Sequence, residues 1–247
     1  MNGTTPVHER VAVITDIHAN VPALQAVLAR IEECGVDAVY CGGDLVGYGP
    51  HPNEACALIQ EREIPTIYGN YDYAIARDEE DCGCAYVTQH DRELGQRSVR
   101  WTLAHTDRAA KDFMRGLPFD LRFQIGNQRM RLVHGSPRKV NEYLFEDKPA
   151  RTFERIAALS DCDVLVFGHT HKPWIHSYGG VLLVNCGSVG KPKDGDPRAA
   201  FAVLEGNVEG KVVASIERVP YDAEAVAREV AAAGLPDEYA DKLVEAA

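Results

Sequence analysis

For its first seventy residues the chain alternates short apolar runs with amphipathic stretches. "VAVIT" (residues 11–15) reads as a strand. "PALQAVLARIEECG" sets Leu24, Val27, Leu28 and Ile31 on one helical face, opened near Asn20 or Val21 and closed by Gly35. "DAVYCGGD" predicts a second strand, "NEACALIQER" a second helix with Ala55, Leu58 and Ile59 inward, and "IPTIYGN" a third strand. Apolar strands alternating with helices predict a parallel sheet with right-handed crossovers. Between about residues 73 and 116 the pattern changes. "ARDEEDCGC" is charged and irregular, while "RELGQRSVRWTLAHT" and "DRAAKDFMRG" carry helical spacing, with Thr106 as N-cap of the second. This stretch reads as a helical insertion whose Trp101 and Phe113 serve its own packing. Beyond it lie a hairpin turning at Gly126 and Asn127, a helix near residues 149–159 and the strand "DVLVFGH". A hairpin across Gly179 and Gly180, another within "AAFAVLEGNVEGKVVASIERV" and an Ala- and Glu-rich helical tail follow. The expectation is one domain over residues 1–247, with the insertion at about 73–116 and the tail at about 222–247.

The polar residues that end these runs carry the chemistry. The first strand runs into Asp16 and His18, and side chains at i and i+2 of an extended segment point the same way. Asp44 follows His18 by 26 residues and Asn70 follows Asp44 by 26, about one strand–helix unit each, so successive strand ends present a polar group. "RLVHGSP" ends in His134, and "VLVFGHTH" in His169 and His171, again spaced i and i+2. Two Asp, one Asn and four His without a thiolate suit manganese, iron or zinc rather than a cysteine-type structural zinc site. Seven donors exceed the needs of one tetrahedral ion and fit two ions sharing a carboxylate. Such a pair, roughly 3.5–4 Å apart, holds a hydroxide and clamps a phosphoryl group for in-line attack. Helix capping alone accounts for Asp16 but not for the three later histidines. His8, His90, His105 and His176 read as ordinary surface or core histidines.

Composition adds limits. Hydrophobic residues make up 45% and charged residues 26%, as in soluble globular proteins, and the net charge of −11 argues against a broad grip on nucleic acid. "MNGTTPVHER" lacks the apolar core of a leader, and no run reaches membrane-span length. Seven cysteines without framework spacing suit reduced thiols, so a cytoplasmic protein is expected, with no membrane and no sequence-specific nucleic-acid partner; the oligomeric state is open. Cys82 and Cys84 form half a metal knuckle without a second pair, which reads as a mobile charged loop.

Taken in order, D-I-H, G-G-D, G-N-Y-D, V-H-G-S-P and G-H-T-H resemble the calcineurin-like metallophosphoesterase superfamily, and within it the small bacterial and archaeal phosphodiesterase branch. The match runs from Asp16 to about Lys191 and includes "NCGSVGKP", where relatives usually read Asn-Pro-Gly-Ser and where Cys186 stands for a frequent proline. The resemblance implies an α/β fold of two mixed β-sheets packed face to face and flanked by helices, a four-layer α/β/β/α sandwich. It implies two divalent transition metal ions, manganese first, with iron, zinc or nickel as other choices. Asp16, His18 and His171 would hold one, Asn70, His134 and His169 the other, and Asp44 would bridge them. The implied activity is hydrolysis of a small phosphodiester or nucleotide-type phosphate by a metal-bridging hydroxide, with Asn70, Tyr71, Asp72 and His134 as the catalytic group.

Two departures qualify the resemblance. Tyr71 stands where many members carry a histidine thought to protonate the leaving group; a phenol is a reluctant acid near neutrality, so its expected role is to orient phosphate or leaving group. "GDLVGYGP" lacks the arginine of the protein Ser/Thr phosphatases, which weighs against phosphoprotein as substrate. Arg138 and His51 are expected at the substrate, with Lys191 or Lys193 as further phosphate contacts. The alternatives are a phosphoprotein or dinucleoside polyphosphate phosphatase and, from another class, a non-catalytic scaffold on the same fold, although scaffolds tend to lose the metal ligands that this chain keeps. A metal-dependent amidohydrolase would start from His-x-His rather than Asp-x-His.

Overall fold

The computed structural model describes residues 5–247. These contain strands β1 (Val7–His8), β2 (Arg10–Ile14), β3 (Ala38–Cys41), β4 (Asp120–Ile125), β5 (Gln128–Val133), β6 (Val164–Phe167), β7 (Trp174–Tyr178), β8 (Val181–Asn185), β9 (Ala199–Gly206) and β10 (Val212–Val219). The helices are α1 (Val21–Cys34), α2 (Pro52–Glu61), α3 (Asn70–Ala76), α4 (Gln89–His105), α5 (Arg108–Arg115), α6 (Ala150–Ser160), α7 (Ala223–Ala232) and α8 (Asp237–Glu245). The strands form two mixed sheets, ordered β1-β4-β5-β6-β8-β7 and β10-β9-β2-β3.

The apolar runs of the central strands are continuous because both faces are buried. Val11 and Val13 of β2, Val164 and Val166 of β6, and Ala202 and Leu204 of β9 point between the sheets into one core. Their neighbours face outward and are covered by helices. Ala12, Ile14, Phe201 and Val203 pack with Leu24, Val27 and Ile31 of α1, and Leu165 and Phe167 pack with Phe153 and Ile156 of α6. The result is the expected four-layer order. The hairpin turns at 126–127 and 179–180 also stand where the glycines predict.

Several local expectations change. The first units do not make a parallel sheet of their own: β2 pairs with β3 in parallel and with β9 antiparallel. The third strand shrinks to an isolated bridge between Cys41 and Thr66, because Tyr68 leaves β3 and donates instead to the carbonyl of Pro118 at 3.0 Å. Asn20 caps α1 by accepting from Ala23 N–H at 3.1 Å, and Gly35 closes it in the left-handed conformation. Thr106 ends α4, its hydroxyl bonding back to Thr102, and Asp107 rather than Thr106 caps α5. Trp101 packs toward the C-terminal helices, its indole N–H donating to Ala233 at 2.8 Å, so it does not serve the insertion alone. Through Leu94 of α4 and Val226, Val230, Tyr239 and Leu243 of α7 and α8, insertion and tail share a core beside the strand ends.

Candidate metal centre

Six of the seven donors predicted at strand ends fall into two compact groups, but not by the expected route. Only His134 directly follows its strand; Asp16 and His18, Asp44, and His169 and His171 lie in loops beyond β2, β3 and β6, and Asn70 opens α3. Asp16, His18, Asp44, His169 and His171 all have φ between 49° and 66°. The i and i+2 argument from extended backbone therefore fails, and left-handed turns aim the side chains instead. Such backbone costs roughly 1–3 kcal/mol per residue and persists where the surroundings over-determine it. Tight packing is that constraint: a Cβ at Gly69 would collide with the Asp44 carboxylate, and one at Gly168 with Asp16 and Thr15.

Donor atoms of Asp16, His18 and His171 lie within 4.8 Å of one another, as do those of Asp44, His134 and His169. The groups adjoin through the carboxylates. Asp44 Oδ2 is 3.6 Å from His18 Nε2 and 3.4 Å from His134 Nε2, while Asp16 Oδ1 is 3.3 Å from His171 Nε2 and 3.9 Å from His134 Nε2. Donors that share an ion at about 2.1 Å sit roughly 3–3.5 Å apart.

Hydrogen bonds fix which atoms face the centre. The Nδ1 atoms of His18, His134 and His171 lie 3.0, 2.8 and 2.6 Å from the carbonyls of Val46, Gly42 and Lys191. Carbonyls only accept, so each Nδ1 carries a proton and each Nε2 faces inward as the atom left for an ion. Asp44 Oδ1 accepts from Tyr71 N–H at 2.9 Å, and Asp16 Oδ2 accepts from the Thr15 hydroxyl and His169 N–H. Asn70 Nδ2 donates to the Cys82 carbonyl at 2.9 Å, which leaves its Oδ1 inward. Asp16 Oδ1, Asn70 Oδ1, His134 Nε2 and His169 Nε2 are buried without a hydrogen-bond partner. Four orphaned acceptors around two carboxylates are costly as they stand and fit divalent cations.

Charge follows from the same burial. Burial, with neighbouring His171 and His134 respectively, holds His18 and His169 well below the ordinary imidazole value; burial and Lys193 do so for His171. At His134 the burial penalty is overcome by Asp44 and Asp16, and its value is pushed up to about 10, so without an ion its Nε2 holds a proton toward Asp44 that an ion would displace. Burial also raises Asp44.

The other expected site residues fall elsewhere. Asp72 does not face the centre: its carboxylate accepts from the N–H groups of Asp44, Leu45 and Gly69 at 2.7, 2.8 and 2.9 Å and so shapes the Asp44 loop. Burial and the Asp44 carboxylate push it up to about 7 against those donors. Tyr71 stays beside the centre, its ring meeting His18 edge-on at 5.6 Å between centroids, but it is 1% exposed and burial raises its phenol well above the ordinary value. Its hydroxyl has no partner. Arg138 is held by Glu142, with Nε at 3.1 Å, and His51 by Glu229 at 2.9 Å; neither lines the cavity at the centre. Cys82 and Cys84 follow the exposed acidic residues 78–81 in an irregular stretch, but their side chains turn inward: the sulfurs lie 3.2 Å apart, and Cys84 Sγ accepts from Asn70 Nδ2 at 3.3 Å. Cys186 is buried between the sheets.

A family model of the calcineurin-like phosphoesterase superfamily domain matches residues 10–208. The chain belongs to that superfamily. Membership makes it a metal-dependent phosphoester hydrolase, and the two donor groups are where divalent ions fit. This phosphoesterase is 29% identical to the uncharacterized protein MJ0912 of Methanocaldococcus jannaschii over 254 aligned positions, covering 96% of this chain and 98% of that one. It is 26% identical to phosphodiesterase YfcE of Escherichia coli, covering 78% and 86%. Among solved structures, a metallophosphoesterase from Sphaerobacter thermophilus superposes with a TM-score of 0.75 at 28% identity, covering 97% of this chain and all of that one. The hypothetical protein PH1004 of Pyrococcus horikoshii superposes with 0.81 at 25%, covering 96% and 97%. Among the described residues no helix is long and apolar enough to cross a membrane.

Sequence reasoning missed the groups that wall the phosphoesterase centre. Tyr48 meets His18 edge-on at 4.8 Å between ring centroids, and Tyr143 lies 4.0 Å from His169. Both border a cavity of about 230 Å³, together with Cys84, Lys191, Lys193, Lys242 and Tyr239. Lys191 and Lys193 stood out from their place beside the Gly-Ser turn and Cys84 from its pairing with Cys82; Tyr48 sits unremarked inside "GDLVGYGP", while Tyr143, Tyr239 and Lys242 lie in stretches with no motif.

Proposed function

We propose that the whole chain works as one phosphoesterase domain that hydrolyses phosphodiesters or nucleotide-type phosphates with two divalent transition metal ions, manganese first. Asp16, His18 and His171 would hold one ion, Asn70, His134 and His169 the other, with Asp44 between them. The observation that carries this reading is the place of Asp44 Oδ2, within 3.6 Å of a histidine of one group and 3.4 Å of a histidine of the other. When bound, the ions supply positive charge to the phosphoryl oxygens and a nucleophile deprotonated near neutral pH.

The chain's own groups do the rest. The three Nδ1–H bonds to backbone carbonyls hold the Nε2 atoms of His18, His134 and His171 inward and keep the rings from turning. Asn70 presents Oδ1 because its amide nitrogen is held by Cys82 and Cys84. Asp72 keeps Asp44 in register through three backbone N–H bonds. Burial raises the Tyr71 phenol well above its ordinary value, so it holds its proton too tightly to serve as an acid for the leaving group. Substrates whose leaving group departs as a stable anion are therefore favoured: activated aryl esters, nucleotides and phosphoanhydrides. A bordering cavity of about 230 Å³ suits a small molecule better than a folded phosphoprotein.

The test is one assay panel on metal-stripped and manganese-reloaded protein, comparing nitrophenyl mono- and diesters, cyclic nucleotides, dinucleoside polyphosphates and a phosphopeptide. We expect about two manganese ions per chain and restored turnover of diesters or nucleotides. Protein that takes up no transition metal would instead be a scaffold, and preference for the phosphopeptide would move the substrate class.

A further inference from the structure

The cavity beside the metal centre is lined on one side by the ammonium groups of Lys191, Lys193 and Lys242, with one carboxylate, Asp91, among its lining residues. Lys191 is 4% exposed, with its Nζ 5.1 Å from the centroid of the Tyr48 ring and 5.7 Å from that of Tyr239. Lys193 Nζ lies 5.9 Å from the Tyr48 centroid. Neither ammonium has a carboxylate or hydrogen-bond partner among the described residues, while Lys242 is 3.7 Å from Asp91, whose other oxygen already accepts from Thr88. The backbones of both lysines touch the centre: the Lys191 carbonyl accepts from His171, and Lys193 N–H donates to the His171 carbonyl at 3.2 Å. Tyr48, whose ring carries these cations, itself meets His18. Cavity and metal centre are therefore neighbours across one aromatic ring.

Burying an ammonium without a counter-charge is costly, and the ring faces offset only part of that cost. Two divalent cations beside Asp16 and Asp44 would themselves supply positive charge to the reacting phosphoryl group. The lysines beyond Tyr48 are surplus to that group and match a further anion on the same molecule, for which lysine is a usual point-charge partner.

We propose that Lys191, Lys193 and Lys242, set among Tyr48, Tyr143 and Tyr239, form a second-phosphate subsite, so that the preferred substrate carries an additional phosphate beside the ester that is cleaved. This rests on the phosphoesterase reading above and narrows its substrate class to small molecules with two or more phosphates. A chain of this net charge has every reason to gather lysines where an anion must enter.

The experiment uses a matched pair with one leaving group: the p-nitrophenyl ester of thymidine 5′-phosphate, with and without a 3′-phosphate. On manganese-loaded protein the 3′-phosphorylated ester should have a kcat/KM at least about tenfold higher, the scale of one or two charge-assisted contacts. That ratio should fall toward one in Lys193→Gln and Lys191→Gln. Lys193 is the less buried of the two, so its variant keeps the test intact if Lys191→Gln fails to fold by thermal melting. In parallel, calorimetry on metal-free protein should detect inorganic pyrophosphate, bound at least about tenfold more weakly by the variants. A wild-type ratio near one, or pyrophosphate bound equally by wild type and both variants, overturns the subsite. If neither ester is cleaved, the phosphoesterase reading fails instead, and the metal-free titration still decides the subsite.

Discussion

The metal centre and the cavity beside it are built on opposite terms. The centre is rich in acceptors, and nearly every inward atom is aimed by a bond on its far side: imidazole Nδ1 atoms on carbonyls, Asp44 Oδ1 on Tyr71 N–H, Asn70 Nδ2 on Cys82. Its geometry is set before any ligand arrives. The cavity is rich in donors, and the ammonium groups of Lys191 and Lys193 rest against tyrosine rings without such anchors. A reaction centre needs donor atoms held to fractions of an ångström, whereas a subsite for a second anion needs mainly charge of the right sign. The difference teaches that precision here comes from backbone partners, and attraction from unpaired side chains.

The comparison breaks most sharply at Asp44. Asp44→Asn would remove the charge between the two donor groups, and kcat on manganese-reloaded protein should fall by about 10³-fold, the rate equivalent of several kcal/mol. Elemental analysis should show fewer ions per chain. A loss of less than tenfold with two ions retained would mean that the reaction happens elsewhere. Asp72→Asn tests whether anchoring matters apart from ligation. The amide would turn a donor toward backbone N–H groups, which should cost about 1–3 kcal/mol of stability. It should also lower kcat by about 10- to 100-fold by loosening the Asp44 loop. An unchanged melting temperature would show that the loop stands without it. Tyr71→Phe is the smallest step. Its hydroxyl is buried without a partner, so kcat should stay within about twofold and stability should hold or rise by up to about 1 kcal/mol. A tenfold loss of kcat would bring that hydroxyl into contact with substrate.

The motifs were legible because metal donors cluster in short, unusual strings after apolar runs: "DIH", "GGD", "GN", "VHG" and "GHTH". Element types followed from periodicity, and the caps at Asn20 and Gly35 from local chemistry. Other features were not local. The left-handed turns at Asp16, His18, Asp44, His169 and His171 fall on residues that are not glycine, so residue type does not announce them, although Gly43 and Gly168 precede two of them. The roles of Asp72 and Tyr71 turned on which neighbours filled the space around them, and Arg138 and His51 on the carboxylates of Glu142 and Glu229.

By itself the sequence determined which side chains are chemically able to bind cations, and the strand and helix periods that carry them, since both depend on residue type and near spacing. Only the tertiary structure decided that β2 lies between β3 and β9, that β6 faces one core with Val164 and Val166 and another with Leu165 and Phe167, and that the C-terminal helices bring Tyr239 and Lys242 against Lys191. The physical reason is that a strand buried on both faces has no polar side to mark its orientation. A wall assembled from residues more than a hundred positions apart likewise leaves no periodic trace in any one of them.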